Sequence, residues 1–591
     1  MQRLRYGLDL RDRRQHLVRV ELLLPAQVAA GGRLVVATWT PGSYVERDYV
    51  HHLQSLRAVD ASGAELRLTP DGRTWWRLPD DLHGDVTVQL EWYANELTVR
   101  TNHVDDHHAL IVPPATFPWI EGLEQEPVEV HVTGTGDAPV WSLLPPGDVD
   151  GVFLADDLHH LIDSAFEVGD HPTIAFDVDG VPHRWVHASH AGSIDLDRVA
   201  TDVAAISEQA QAVFDGPLPV DAYTFLCVGG DATAGGGGLE HRDGSVLMLP
   251  SLTDLDEDGV ARTQSLIAHE YLHLWNVKRL VPAELVDLAH DRPTHTTSLW
   301  VAEGWTAYYD ELLPTRAGLW SPRRYLDRLR DDITWVERTP GARRQSLAMS
   351  SWHAWTGLYI RDENSLNAGT SYYTHGAVVA ACLDLLLRRA DPDGDGLDEV
   401  FRLLWQRFGH DEPQGHPRTG YRHDDVVDAL GTVAGHDLTG FVDEHVTGTA
   451  PPPIGDLLGV VGLELVESVP KPPTADLGVR LSEDDRGPRI DAVLRDGPAW
   501  LAGVTGGDRL VAIDGTVVRR GEVPRVLRLH EPGDTVVLTV ERGPRLLGLP
   551  VVLDTPRLDL QLQPVADPEE RQRTAFARWT GHPLTEAGRR G

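Results

Sequence analysis

Polar and apolar residues alternate with a period of two through the first 170 positions, in stretches such as HLVRVELLL, RLVVATW, VTVQLEWY and VEVHV. Successive strand side chains point to opposite faces, so this alternation predicts half-buried strands, and the Gly, Pro and Asp between them predict turns. Residues 1–170 are therefore expected to form a β-sandwich. From about residue 190 the apolar spacing lengthens: IDLDRVATDVAAISEQAQAVF reads as a helix, DAYTFLCVGG as a strand and SLIAHEYLHLWNV as a second helix. Residues 171–315 are thus mixed, and 316–455 are mostly helical, as in AVVAACLDLLLRRA and LDEVFRLLWQRF. PPPIGD then breaks the pattern, 456–555 is β-rich, and the polar stretch 556–591 is expected to be a peripheral or frayed tail. The fold class expected is multidomain α+β.

At 591 residues the chain is too long for one ordinary core, and 41% hydrophobic residues with 17 Trp make it globular. The 53 Lys and Arg against 90 Asp and Glu give a net charge of -37, which repels phosphate and argues against nucleic-acid or anionic-membrane partners. Lysine occurs only at Lys278 and Lys471. The two cysteines, Cys227 and Cys382, sit in apolar runs and are expected to be buried free thiols. No run reaches the ~20 apolar residues that span a bilayer, and the first residues lack a signal-peptide core, so a cytoplasmic location is expected.

Within the second helix stands His269-Glu270-Tyr271-Leu272-His273, an HExxH sequence. Residues four apart share a helix face, so two imidazoles can grip one zinc ion while Glu270 takes a proton from the attacking water. A catalytic zinc needs a third protein donor, and LWVAEGWTAYYDEL offers Glu303 among Trp300, Val301, Ala302 and Trp305, where an unpaired charge would be costly. Asp310 lies about two turns beyond Glu303 and suits a carboxylate that orients a ligating histidine.

The run HEYLHLWNVKRL followed by LWVAEGWTAYYDEL resembles the glycyl aminopeptidase family of zinc metallopeptidases. TWTPGSYVERDY (38–49) is similar to that family's N-terminal-domain signature, and GGLEH (237–241) and SYYTHG (371–376) to its active-site segments. The resemblance implies a thermolysin-like zinc catalytic domain over 171–315 with a helical part over 316–455. It also implies that Glu240 holds the substrate's free α-ammonium and that the backbone at Gly237 and Gly238 lies close to substrate. Tyr373 would donate to the tetrahedral oxyanion, with Tyr372 as the alternative. His241 stands where related aminopeptidases carry Asn, and His375 where they carry Lys. The glycine run Gly235 to Gly238 also has the composition of a plain linker.

PRIDAVLRDGPAWLAGVTGGDRLVAIDG (488–515) resembles a PDZ domain, which either captures a peptide, with Leu477-Gly478-Val479 as the candidate carboxylate loop, or packs on the catalytic part as a purely structural module. DPDGDG (391–396) starts like a calcium loop, but its twelfth position is Arg402, so a helix–helix turn is expected. The histidines of TNHVDDHHAL (101–110) read as an exposed loop. The function expected is a zinc aminopeptidase releasing small first residues, glycine and alanine, from peptides with a free N-terminus. The rivals are an endopeptidase on the same site and a catalytically silent PDZ scaffold. All candidate catalytic residues precede the break near 455, so a chain ending there is expected to be active.

Overall fold

The computed structural model describes residues 3–82, 84–189, 195–229, 237–249, 256–409 and 419–588. The chain divides into two compact units, one of residues 1–296 with 401–422, the other of 297–400 with 423–591.

In the first unit the alternating segments form strands, including Leu17–Leu24 and Val86–Tyr93, whose inward residues are buried and outward ones are not. They join a seven-stranded sheet in which Leu4–Asp9 runs parallel to Val128–Thr133 and antiparallel to Leu17–Leu24. Five- and four-stranded sheets complete this β-rich part. A further five-stranded sheet follows, in the order Thr173–Val178, Val181–Ser189, Tyr223–Gly229, Gly244–Leu249, Gly237–His241. Its three middle strands are parallel, and the helix Leu196–Phe214 makes the crossover between the first two of them. Every residue of Gly244–Leu249 is buried, as expected of a parallel strand covered on both faces. One hydrophobic core runs from Tyr6, Val20 and Trp92 through Phe117 and Phe166 into Val186, Leu226 and Val246, so the β-rich part and this sheet are not separate cores.

The second unit is helical in its first half, with Gly304–Arg316, Pro322–Glu337 and Thr374–Ala390 as its longer elements. Gly304 and Gly376 face each other: a Cβ on Gly304 would lie 2.8 Å from the Gly376 Cα. The PDZ part is a six-stranded sheet with short helices at Pro498–Leu501 and Val523–Leu527 around its own core.

Three expectations are corrected. The stretch 556–591 is not a frayed tail over its described residues: Asp559–Pro564 pairs with Leu463–Ser468, and the helix Glu570–Thr580 buries Phe576 and Trp579 completely. Trp579 Nε1 donates to the Tyr308 hydroxyl at 2.6 Å, so two aromatic residues outweigh the polar average of the segment. Of the three TNHVDDHHAL histidines, His107 lies in an exposed loop as expected, but His103 and His108 do not. Thr101–Val104 and Ala109–Ile111 form a hairpin, and His108 is buried. The motif helix, expected to run through Val277, ends at Leu272. DPDGDG is the expected turn, closed by Arg388, whose guanidinium donates to the carbonyls of Gly394 and Asp395.

Candidate active site

The motif helix Glu257–Leu272 is capped by the Asp256 carboxylate, which accepts from the Gly259 amide. Two aromatic residues fasten its far end to the sheet: the Tyr271 hydroxyl pairs with His183 Nε2 at 2.9 Å, and the Tyr223 hydroxyl donates to the Glu270 carbonyl at 3.4 Å. His269 and His273 fall on one face with ring centres 4.7 Å apart. Past Leu272 the chain tightens, with the Leu274 amide donating to the Tyr271 carbonyl and the Trp275 amide to the Leu272 carbonyl, and it reverses at Val277, whose φ of +143° is a region that β-branched residues rarely enter. That reversal brings the Asn276 carbonyl to 2.6 Å from His273 Nδ1. A carbonyl can only accept, so Nδ1 carries the proton and Nε2 keeps its lone pair, the tautomer a metal needs.

The strand Gly237–His241 is the edge of the sheet and passes close over the motif helix. A Cβ on Gly238 would lie 2.0 Å from Glu270 Oε1, whereas one on Gly237 would meet nothing within 4 Å. Glycine is thus required by packing at 238 and not at 237. Gly235 and Gly236 lie outside the described residues. Glu240 is buried, and it, Glu270 and His273 each offer a donor atom within 4.8 Å of the others.

Two supports of this edge pair residues that the sequence could not bring together. Asp163 accepts from Lys278 Nζ at 2.8 Å, from the Arg242 amide at 2.9 Å, and from His241 Nδ1 at 3.2 Å. Burial alone would raise the Asp163 carboxyl, but Lys278 and His241 outweigh it and hold the group below the ordinary carboxylate range. His241, whose role the sequence left open, thus anchors the end of the edge strand. The signal was the rarity of lysine, since one of the two stands five residues after the HExxH motif. The second support is Gly42. Thr40-Pro41-Gly42-Ser43 is a tight turn with Pro in the second position and Gly42 at φ +87° in the third. A Cβ there would lie 2.4 Å from Glu240 Oε1, so the turn touches the carboxylate directly. Trp39 Nε1 donates to the Ala289 carbonyl at 2.9 Å and holds the turn in place.

The second unit carries the remaining candidates. Glu303 sits at the junction of the helices Leu299–Ala302 and Gly304–Arg316 and is only 1% exposed, between buried Trp300 and Trp305. Tyr373 begins the helix Thr374–Ala390, and its hydroxyl lies 2.8 Å from that of Tyr359. Burial, and then the charge of Glu303, push the Tyr373 phenol well above its ordinary value. Tyr372 is fully buried beside it, whereas Tyr373 is partly exposed. His375 pairs with the Thr370 hydroxyl at 3.0 Å, and burial lowers its ring to about 4. It is a neutral group, unlike the lysine it replaces. Asp310 is half-buried, and its charge, after burial and Asp332, helps to raise Glu311.

Fold and motif helix together define a metallopeptidase of the HExxH class. Residues 262–379 match the M61 glycyl aminopeptidase family, residues 5–170 the peptidase M61 N-terminal domain, and residues 475–553 a PDZ domain. The chain thus carries an M61 glycyl aminopeptidase domain, an M61 N-terminal domain and a PDZ domain, and it is a peptidase. Over 97% of its length it is similar to the whole of an aminopeptidase N family protein from Idiomarina loihiensis, with a TM-score of 0.90 and 29% identity. An M1 zinc metallopeptidase from Deinococcus radiodurans matches 77% of this chain over 95% of its own, with a TM-score of 0.45 and 13% identity. No curated protein matches the chain. Among the described residues no helix is long and apolar enough to cross a membrane.

Proposed function

We propose that the protein is a zinc aminopeptidase that removes small first residues, glycine or alanine, from peptides. The observation that carries this reading is Glu240, a buried carboxylate on a sheet edge, within 4.8 Å of Glu270 and His273 and roofed by the turn at Gly42. A fixed carboxylate there pairs with a free α-ammonium, and a backbone roof leaves little volume for a first side chain.

His269, His273 and Glu303 would hold the zinc, with Asp310 orienting the set. The fixed tautomer of His273 and the wealth of buried carboxylates fit a divalent cation, and the family match runs unbroken from the motif helix past Glu303 to Tyr373. Bound zinc supplies a Lewis acid that lowers the pKa of water and polarises a carbonyl. Glu270 takes the proton from the attacking water and passes it to the leaving amine. The Tyr373 hydroxyl donates to the oxyanion as charge develops. Glu240 sets the register, and the edge strand at Gly237 and Gly238 aligns the peptide backbone. A cytoplasmic setting accords with the two cysteines, both buried and unbridged. In the PDZ part, Val479–Asp484 is an edge strand, and its Glu483 carboxylate accepts at 2.6 Å from the Gly521 amide just before the helix Val523–Leu527, an arrangement suited to strand addition by a peptide.

The test is metal content of the full chain together with hydrolysis of free and N-acetylated Gly and Ala peptides. Acetylation strands Glu240 without its cation and is expected to lower kcat/KM by at least ~100-fold, since a stranded buried charge costs ~3 kcal/mol or more. Equal cleavage of free and blocked peptides, with internal bonds cut, would replace this reading with an endopeptidase.

A further inference from the structure

The histidine-rich hairpin of the N-terminal part brings together a second set of metal donors that the peptidase reaction does not use. His103 lies on the strand Thr101–Val104 and His108 just before Ala109–Ile111, so hairpin pairing sets the two rings side by side, 30° from parallel and 4.9 Å between centres. His103 Nδ1 and His108 Nε2 are 3.1 Å apart. Two nitrogens each bound to a tetrahedral zinc at ~2.0 Å stand about 3.3 Å apart, so the spacing matches a shared ion. A hydrogen bond between the rings would explain that distance alone. It would not explain the third donor, an Asp105 carboxylate oxygen within 4.8 Å of a ring nitrogen of each histidine. Asp105 is fixed by its own turn, with Oδ1 accepting from the amides of His107 and His108.

The layer behind the donors is built as metal ligands require. Glu167, 1% exposed on the neighbouring strand Phe166–Val168, lies 3.1 Å from His108 Nδ1 and 2.9 Å from His171 Nε2. It accepts a hydrogen bond from His108 Nδ1–H and leaves Nε2 directed at His103, an arrangement of carboxylate, histidine and metal. His16 is adjacent, its ring centre 6.3 Å from that of His103, but its Nδ1 is engaged by the Val104 carbonyl at 2.6 Å.

We propose that His103, Asp105 and His108 bind a divalent metal of the zinc class, which ties the two strands of the hairpin 101–111 together across its turn. Two imidazoles and a carboxylate form a borderline donor set that favours zinc over calcium or magnesium.

The test is zinc per chain in the full-length protein after loading with excess zinc and desalting, for the wild type and for His103→Ala and Asp105→Asn. His103 and Asp105 are both partly exposed, so both variants should fold, which a thermal melt checks. The expected result is a loss of about one zinc per chain in each folded variant relative to wild type, with peptide hydrolysis retained. Because the result is a difference, it stands apart from the peptidase site. If the HExxH helix holds no zinc, the wild type binds one and His103→Ala none. Equal zinc content in the wild type and both folded variants would overturn the site and leave a plain histidine hydrogen bond.

Discussion

Glu270 is 4% exposed with the Gly238 backbone directly above it, so its carboxylate has one posture available. Glu270→Gln preserves size and is expected to keep metal content while lowering kcat by ~100- to 10,000-fold, the range for loss of a general base. Undiminished turnover at full metal content would refute the assignment. Tyr373→Phe should lower kcat ~100- to 1,000-fold with little change in KM, because the hydroxyl acts on charge present only in the transition state. If Tyr372→Phe shows that loss and Tyr373→Phe does not, the two roles exchange. Gly42→Ala is the sharper probe of register. The new methyl must push into the Glu240 carboxylate, in a backbone conformation that alanine disfavours. A displacement near 1 Å costs roughly 100-fold, so kcat/KM for free glycyl peptides should fall by about that factor. Unchanged kinetics would show that the turn does not set the ammonium pocket.

Among the elements, the PDZ part is tied to the helical part by backbone contacts that the break near 455 concealed. The Asn367 carboxamide donates to the Val493 carbonyl at 2.8 Å and accepts from the Arg495 amide at 2.8 Å. Asn367 stands eight positions after Tyr359, whose hydroxyl meets Tyr373. Further on, Arg323 Nη1 donates to the Leu562 carbonyl, and Trp579 packs against Tyr325 with ring centres 5.3 Å apart. A chain ending near 455 would therefore lose core as well as a module. It is expected to aggregate or melt well below the full chain in a circular-dichroism scan, contrary to the sequence expectation that it would work alone. A folded, active truncation would show that the last strand and helix are dispensable. Asn367→Ala should destabilise by ~1–3 kcal/mol, the cost of leaving two backbone groups without a partner.

At the scale of the molecule, the edge strand, the motif-helix loop and the β-rich part meet at Asp163. Its folded pKa lies below the ordinary carboxylate value, so its contribution is fully present above about pH 4 and is lost as pH falls through the folded value. The acid limb of a pH–stability curve should therefore be shallower in Asp163→Asn than in wild type. At neutral pH that variant should lose ~3–5 kcal/mol, because Lys278, 8% exposed, keeps a charge without a partner. A neutral-pH melt equal to wild type would rule out the anchoring role. The net charge of -37 adds self-repulsion, so moderate salt should raise the melting temperature.

The sequence by itself determined what periodicity and local spacing can carry. Alternation gave the strands, the lengthened period gave the crossover helix Leu196–Phe214, and residues four apart on a helix had to place His269 and His273 on one face. The run 488–515 likewise pointed to the PDZ part through its resemblance to such domains. The tertiary structure decided the contacts between residues distant in sequence. Asp163 meets Lys278 across 115 positions and Gly42 meets Glu240 across nearly 200, so neither pairing leaves a local signal. The motif helix ended at Leu272, short of the Val277 that the apolar spacing predicted, because the chain turns back there onto His273 through the Asn276 carbonyl. The last 36 residues read as frayed because average polarity hides the energetic weight of Phe576 and Trp579. The histidine hairpin acquired donor geometry only once strand pairing set His103 beside His108. Spacing along the chain gives the identity of donors, but only folding gives their distance.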